Sequence, residues 1–364
     1  MRQMAIGAAT AGTLAACSRQ DQFFSSNVQQ VSQPRVEWRM ATSWPESLNI
    51  VFGTTKLICE RVSDLTNGNF AITAFPAGGI APPLEILDTV QAGSAECGHT
   101  AGYYYTDKNP ALAFATSVPF GLTPNQHIAW MYSGGGLELT RELYADFNTI
   151  NFPAGSTGNQ MGGWFKRRVS SLAELKNLRL RMPGLGGEVM KRLGVQVQTL
   201  PPDEILAALE RGSIDAAEWV GPYEDEKLGL QKSAPYYYYP GWHEPGTTYE
   251  LLVNQTAWNQ LPREYQQALQ AATAEAHLTM LSRYDAENRE ALQRLLNEGT
   301  QLVAYSKTII DAARKETFEL YQEFSGQDSS FQKVYSQWNA FRKGIYQWNQ
   351  VNEQSFAELL FSED

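Results

Sequence analysis

The chain has 364 residues, enough for two domains or for one with a large insertion. Apolar residues make up 43% and charged residues 19%, too much burial potential and too little charge for a disordered chain. The net charge is −10 and no basic run exceeds Lys166-Arg167-Arg168, which argues against a nucleic-acid partner and against an anionic membrane surface.

The first apolar stretch, residues 4–16, follows Arg2 and is too short to span a bilayer. Rich in small residues and ending Leu14-Ala15-Ala16-Cys17, residues 1–17 read as a secretory signal. The ending resembles the bacterial lipobox, so a periplasmic protein anchored by lipid on Cys17 is expected, the alternative being an ordinary signal with an incidental cysteine. Residues 18–35 are polar and aperiodic, a tether.

From Val36 the chain alternates as a strand over 36–41. A helix over 48–65, capped by Ser47, stops at Asn67-Gly68. A strand over 70–75, a helix from Pro82-Pro83 through Gln91 and a strand over 95–100 follow, the rhythm of a parallel α/β sheet. Cys59 lies on the helix flank and Cys97 in the last strand. Without CxxC spacing they read as buried free thiols, with an oxidised pair left open.

Ser133-Gly134-Gly135-Gly136 reads as a turn between helices. The rhythm then repeats: strands over 160–165, 178–182, 195–200 and 214–220, a helical turn over 171–175, a helix over 187–193, and a helix capped by Asp203 and ended by Gly212. Two α/β sets predict two lobes around a cleft, 36–157 with about 245–284, and 158–244 with about 285–330. Ligands of such sheets sit beyond the carboxyl ends of the strands.

Helical spacing over 262–298 predicts a helix of roughly 55 Å, long enough to span both lobes. The expected hinges are 153–158, 244–247 and this helix, with a kink near Asp285. Helices over 306–325 and 331–348 follow, the second with Phe331, Val334, Trp338, Phe341 and Ile345 on one stripe. That stripe is either core or, within 331–364, a subunit contact.

Enzyme motifs are weak. The four histidines form no HExxH, no serine lies in a GxSxG elbow, and Pro183-Gly184-Leu185-Gly186-Gly187 lacks the small sixth residue of a dinucleotide loop. A glycine-rich helix entry still offers backbone N–H groups to a carboxylate. Three strand ends carry polar groups: residues 156–160 lead into Met161-Gly162-Gly163-Trp164-Phe165, one strand ends on Arg181, and another on Glu218 and Trp219. Arginine grips a planar carboxylate with two parallel hydrogen bonds, although Arg181 alone reads more readily as an ion-pair residue.

With these runs the chain resembles the extracytoplasmic solute-binding proteins of tripartite ATP-independent periplasmic (TRAP) transporters. The likeness extends from Ala41-Thr42-Ser43-Trp44-Pro45 to the C-terminal helices, centred on Leu178-Arg179-Leu180-Arg181-Met182-Pro183 and Leu209-Glu210-Arg211-Gly212-Ser213-Ile214-Asp215-Ala216-Ala217-Glu218. Gly102-Tyr103-Tyr104-Tyr105, Gln160-Met161-Gly162-Gly163-Trp164-Phe165, Glu218-Trp219-Val220-Gly221-Pro222-Tyr223 and Tyr236-Tyr237-Tyr238-Tyr239-Pro240-Gly241-Trp242 point to the branch that binds 2-oxo acids and related monocarboxylates.

The resemblance implies an α/β, two-lobed periplasmic-binding-protein-like fold with a helical C-terminus. It implies that Arg181 binds the ligand carboxylate, and that one metal ion, Ca²⁺ or Na⁺, is held by Gln160, Glu218, Glu244 and the Trp219 carbonyl. Tyr104 is expected at the ligand unless all three tyrosines only pack, and Asn159 beside it. His243 and Asn159 depart from the branch's pattern. It further implies delivery to membrane permease subunits, no catalysis, and a homodimer through the C-terminal helices.

Charge independently favours a cation. Arg181, Glu218, Glu244 and a monocarboxylate together carry −2, costly in a closed cleft, and Na⁺ would leave −1 and Ca²⁺ zero. Both ions suit an all-oxygen shell. A 2-oxo or 2-hydroxy acid would chelate such an ion through carboxylate and adjacent oxygen, as a plain acid cannot. Two rivals stand beside this reading: a metal-dependent periplasmic enzyme acting on a 2-oxo acid, and a ligand sensor.

Overall fold

The computed structural model describes residues 34–361. The signal-like segment, Cys17 and the tether up to residue 33 lie outside the described residues. Among the described residues eleven strands follow in chain order: β1 (Val36–Thr42), β2 (Phe70–Phe75), β3 (Cys97–Thr100), β4 (Thr149–Asn159), β5 (Gly163–Phe165), β6 (Arg179–Arg181), β7 (Gln196–Gln198), β8 (Ala216–Ala217), β9 (Tyr236–Tyr239), β10 (Gly246–Asn254) and β11 (Gln301–Ala304). They form two sheets, ordered β2-β1-β3-β10-β4 and β11-β9-β5-β8-β6-β7.

The sheets are mixed, which corrects the expectation of parallel ones. In the first, β10 runs antiparallel to both β3 and β4; in the second, β5 runs antiparallel to both β8 and β9. The remaining pairs are parallel. The reversed strand of each sheet is the one that follows a crossing from the other sheet. β4 and β9 end at the cleft, the chain crosses there, and β5 and β10 start from the cleft and run away from it. The crossings at 160–162 and 240–245 touch: Gly241 N–H donates to Gln160 O, and a Cβ on Gly241 would lie 2.5 Å from that oxygen.

The third connection is the helix Arg263–Asn297, continuous through Asp285. Its first half buries Tyr265, Leu269, Ala272 and Ala276 with Trp38, Ile58 and Phe70 of the first lobe. Its second half meets the other lobe, where Tyr223 N–H donates to Asn288 Oδ1 at 3.0 Å and Arg294 pairs with Glu226 at 2.7 Å. β11 then joins the second sheet beside β9.

Helices Lys307–Gln327 and Ser329–Asn349 close the fold. Phe331, Val334 and Trp338 are buried, Phe331 and Trp338 against Phe114, and Arg342 Nε donates to Phe120 O, so this stripe is core. Among the described residues no helix is long and apolar enough to cross a membrane.

Local boundaries shift for identifiable reasons. The first helix is Val51–Leu65 with Ile50 as N-cap, because a turn bonded from Leu48 N–H to Pro45 O precedes it; Ser47 is not the cap. Pro201 caps Pro202–Arg211, so Asp203 lies inside, where an acidic side chain favours the helix N-terminus. Helices Pro124–Ser133 and Gly136–Ala145 flank the glycine turn as expected. Tyr103 to Tyr105 form a 3₁₀ turn, Gly102–Tyr105. Tyr237 stacks on Trp164 at 3.9 Å and Tyr238 bonds the Val169 backbone, so this aromatic run is mainly core. Cys59 and Cys97 are free thiols, and burial pushes Cys59 up to about 12.

Candidate functional site

The two crossings and the ends of β3, β6 and β8 deliver polar side chains to one place. Arg181 ends β6, 1% exposed. The strand is secured by Arg179, which grips Asp215 through Nε at 2.9 Å and Nη2 at 2.6 Å. Beyond Arg181, Gly184 at φ +63 opens the helix Gly184–Arg192, and a Cβ there would lie 3.0 Å from Tyr103 Cβ of the opposite lobe. Glycine lets the tyrosine turn approach.

Glu218 follows β8, and its N–H donates to Arg181 O at 3.1 Å. Arg181 Nη1 donates to both the backbone oxygen (2.8 Å) and Oε2 (2.9 Å) of Glu218, and Nε donates to Leu200 O at 3.1 Å. Nη2 has no hydrogen-bond partner among the described residues although it is buried. The Trp219 ring lies 5.3 Å from the guanidinium carbon. Asp225 fixes the segment beyond, accepting from the N–H groups of Val220 and Gly221 and from Trp164 Nε1 and Tyr237 OH.

Gln160 and Glu244 come from the crossings and share Thr247. Gln160 Nε2 donates to Thr247 Oγ1 at 2.8 Å and to Thr157 Oγ1 at 3.2 Å, while Thr247 Oγ1 donates to Glu244 Oε2 at 2.8 Å. This relay fixes the Gln160 amide with Oε1 buried and without a partner among the described residues. Burial, then the neighbouring Glu218 carboxylate, hold Glu244 well above the usual carboxylate range, against the opposing pull of Thr247 and Arg181. Tyr104 presents a buried hydroxyl without a hydrogen-bond partner among the described residues, its pKa pushed up to about 12 by burial and lowered in part by Arg181.

His243 precedes Glu244, is wholly buried, and has Nε2 3.6 Å from Glu218 Oε1. Ligand atoms of Glu218, His243 and Glu244 lie within 4.8 Å of one another. With the free Gln160 Oε1, this donor set fits a metal ion. The sequence had marked His243 as a departure, and its adjacency to Glu244 was the available signal. Asn159 is the misplacement: it is exposed at the end of β4 and lines a surface groove with Thr123, Pro240 and Arg314. The arrangement can grip a carboxylate at Arg181 and hold a cation between it and the two glutamates.

A recess of about 620 Å³, lined by Tyr103, Tyr104, Met182 and Gly184 with Asp88, Lys108, Glu188 and Lys191, opens beside the cluster.

The profile of a protein family, bacterial extracellular solute-binding protein family 7 (DctP), matches residues 40–327. The chain belongs to this family. Among relatives of this solute-binding protein, the monocarboxylate 2-oxoacid-binding periplasmic protein of Nostoc sp. is 58% identical over 327 residues, 90% of each chain. A TRAP transporter solute-binding protein of Bordetella bronchiseptica, a mixed-occupancy dimer with calcium and picolinate in one site, aligns with TM-score 0.89 and 43% identity. The match covers 90% of this chain and 98% of the other. One of Colwellia psychrerythraea with calcium and pyruvate aligns at 0.87 and 36% identity, covering 89% and 99%. The DctP protein described here shares the two-lobed α/β TRAP fold of these structures and is periplasmic.

Proposed function

We propose that this chain captures a small 2-oxo or 2-hydroxy monocarboxylate together with one metal ion, and passes it to the membrane subunits of a TRAP transporter. One observation carries the reading. In a single buried cluster, Arg181 Nη2, Gln160 Oε1 and the Tyr104 hydroxyl have no partners among the described residues, around two glutamates that together would exceed the arginine's charge once both are ionised. Buried polar groups are normally paired, and a chelating acid with its cation would pair these.

Arg181 would bind the carboxylate, Tyr104 a ligand oxygen, and Gln160, Glu218, Glu244 and the Trp219 carbonyl the ion, Ca²⁺ or Na⁺. The metal would supply charge balance and a chelation point for the oxygen next to the carboxylate. The ligands of the Bordetella and Colwellia proteins, and of a Pseudoalteromonas atlantica relative with sodium and pyruvate at 35% identity, agree with this chemistry.

The test is calorimetry with pyruvate, lactate and propionate, with Ca²⁺, with Na⁺ and after chelation. Pyruvate or lactate should bind and propionate fail, with affinity falling when both ions are removed; equal binding of all three, indifferent to ions, overturns the reading. His243 beside Glu218 keeps an enzymatic reading in view. Product above stoichiometric yield from a 2-oxo acid would establish it.

The lobes are assigned as 36–157 with 245–284, and 158–244 with 285–330. In support, the first set holds β1 to β3, β10 and nearly all of β4, while the second holds β5 to β9 and β11. Pairing of two copies through the C-terminal helices is supported by exposed Trp348, Val351, Phe356 and Phe361. Anchoring through lipid on Cys17 belongs to the same reading, checked by the mass of the processed N-terminus.

A further inference from the structure

We propose that His243 is an additional protein ligand of the metal, and that it makes the site select a first-row divalent ion such as Mn²⁺ or Co²⁺ over Ca²⁺. This rests on the metal-bridged reading above and adds to it a nitrogen donor. Both imidazole nitrogens are buried and lack hydrogen-bond partners among the described residues, an arrangement that costs free energy unless something binds them.

The ring is held in place. A Cβ on Gly186 of the helix Gly184–Arg192 would lie 2.8 Å from His243 Cβ, so backbone and helix are in close contact, and the Trp242 ring is edge-on to the imidazole at 5.9 Å. From this position Nε2 lies 3.6 Å from Glu218 Oε1, a spacing that two ligand atoms on one ion can adopt. Oε1 is also the oxygen of Glu218 that Arg181 leaves unpaired, since Nη1 takes Oε2. Glu218 Oε1, His243 Nε2, a Glu244 oxygen and Gln160 Oε1 form a mixed oxygen and imidazole set. All-oxygen sets favour Ca²⁺ and Na⁺, whereas imidazole shifts preference toward first-row divalent ions.

The test uses metal alone, without acid, on the mature protein. Competition dialysis of wild type should show Mn²⁺ and Co²⁺ displacing Ca²⁺ at lower concentration. His243→Gln should lose at least tenfold in Mn²⁺ and Co²⁺ affinity while Ca²⁺ affinity moves less than threefold. Equal losses for all ions, or no loss, overturn the inference. Should the variant not fold, pulsed electron paramagnetic resonance of Mn²⁺-loaded wild type decides. Modulation from a directly bound nitrogen is expected, and its absence overturns the assignment. If no ion of any kind binds, with or without pyruvate, the metal-bridged reading fails; if Ca²⁺ binds but His243 is indifferent, only the ligand assignment fails.

Discussion

Arg181 sits among two carboxylates with one of its terminal nitrogens unused, so its charge is already neutralised on one side and available on the other. Removing it leaves Glu218 and Glu244 buried without a counter-charge, which typically costs several kcal/mol, and takes away the fork that fits a carboxylate. Arg181→Ala should lower affinity for pyruvate more than a hundredfold by calorimetry. Arg181→Lys should recover little, because an ammonium cannot donate to Glu218 and the ligand in the same planar geometry. Wild-type affinity in either variant would refute the arginine's role. Arg181 and Glu218 were legible because strand ends point into the cleft of an α/β protein. Asn159 was misread: it ends β4 at the surface, whereas Gln160, the first residue of the crossing, is buried. The relay through Thr247 left no sequence signal, because it depends on two crossings 87 positions apart meeting in space.

At the scale of elements, the crossings explain both what sequence periodicity captured and what it lost. Helices with strong stripes, such as Arg263–Asn297, were plain. β4 and β10 were not, because both are buried along nearly their whole length and carry no alternation. Gly246 opens β10, where an added Cβ would lie 2.4 Å from Pro124 Cγ and 3.0 Å from Gly158 O. Overpacking of this kind costs about 1–3 kcal/mol, so Gly246→Ala should lower the melting temperature by several degrees; an unchanged value would mean the crossing can spread. Closure has its own contacts. Tyr223 OH donates to Asn49 Oδ1 at 3.1 Å, and the Glu224 carboxylate faces the N–H groups of Ile50 and Val51 while accepting from Tyr284 at 2.9 Å. Asn49 lies between β1 and β2 of one sheet, and Tyr223 between β8 and β9 of the other. A hydrogen bond present only when the lobes meet is worth about 0.5–1.5 kcal/mol. Asn49→Ala should therefore weaken ligand binding about two- to tenfold through faster release, seen by stopped-flow, with little change in the melting temperature of ligand-free protein.

For the whole molecule, the net charge of −10 says less about stability than six buried groups that the ligand reading does not use. Burial lowers His99 to about 3 and His127 and His277 to about 4, with His127 adding to the effect on His277. Burial raises Glu224 and Glu250 to about 7 and Asp225 to about 6. The two sets act in opposite directions as pH falls. Below about 6.5 the unfolded chain takes up protons at the histidines that the folded chain refuses, which favours unfolding. The folded chain takes up protons at the three carboxyls near pH 6 to 7, before the unfolded chain does near 4, which favours folding. Their contributions therefore nearly offset between about pH 6.5 and 4.5. Glu250 tests the balance, since it accepts from Tyr144, Thr116 and Asn151 at 2.7, 3.2 and 2.8 Å. Glu250→Gln keeps the shape, and Asn151, whose Oδ1 lacks a partner, can turn its amide to accept from the new NH₂. At pH 8 the variant avoids the buried charge that wild type carries and should be the more stable of the two. On acidification wild type gains the proton and the variant does not, so that advantage should shrink progressively between pH 7 and 4.5, by up to about 3 kcal/mol for a shift of this size. Thermal unfolding of both proteins at pH 8, 6 and 5 measures the divergence. A constant gap across the series would mean that Glu250 is already ionised throughout, leaving Glu224 and Asp225 as the carboxyls that offset the histidines.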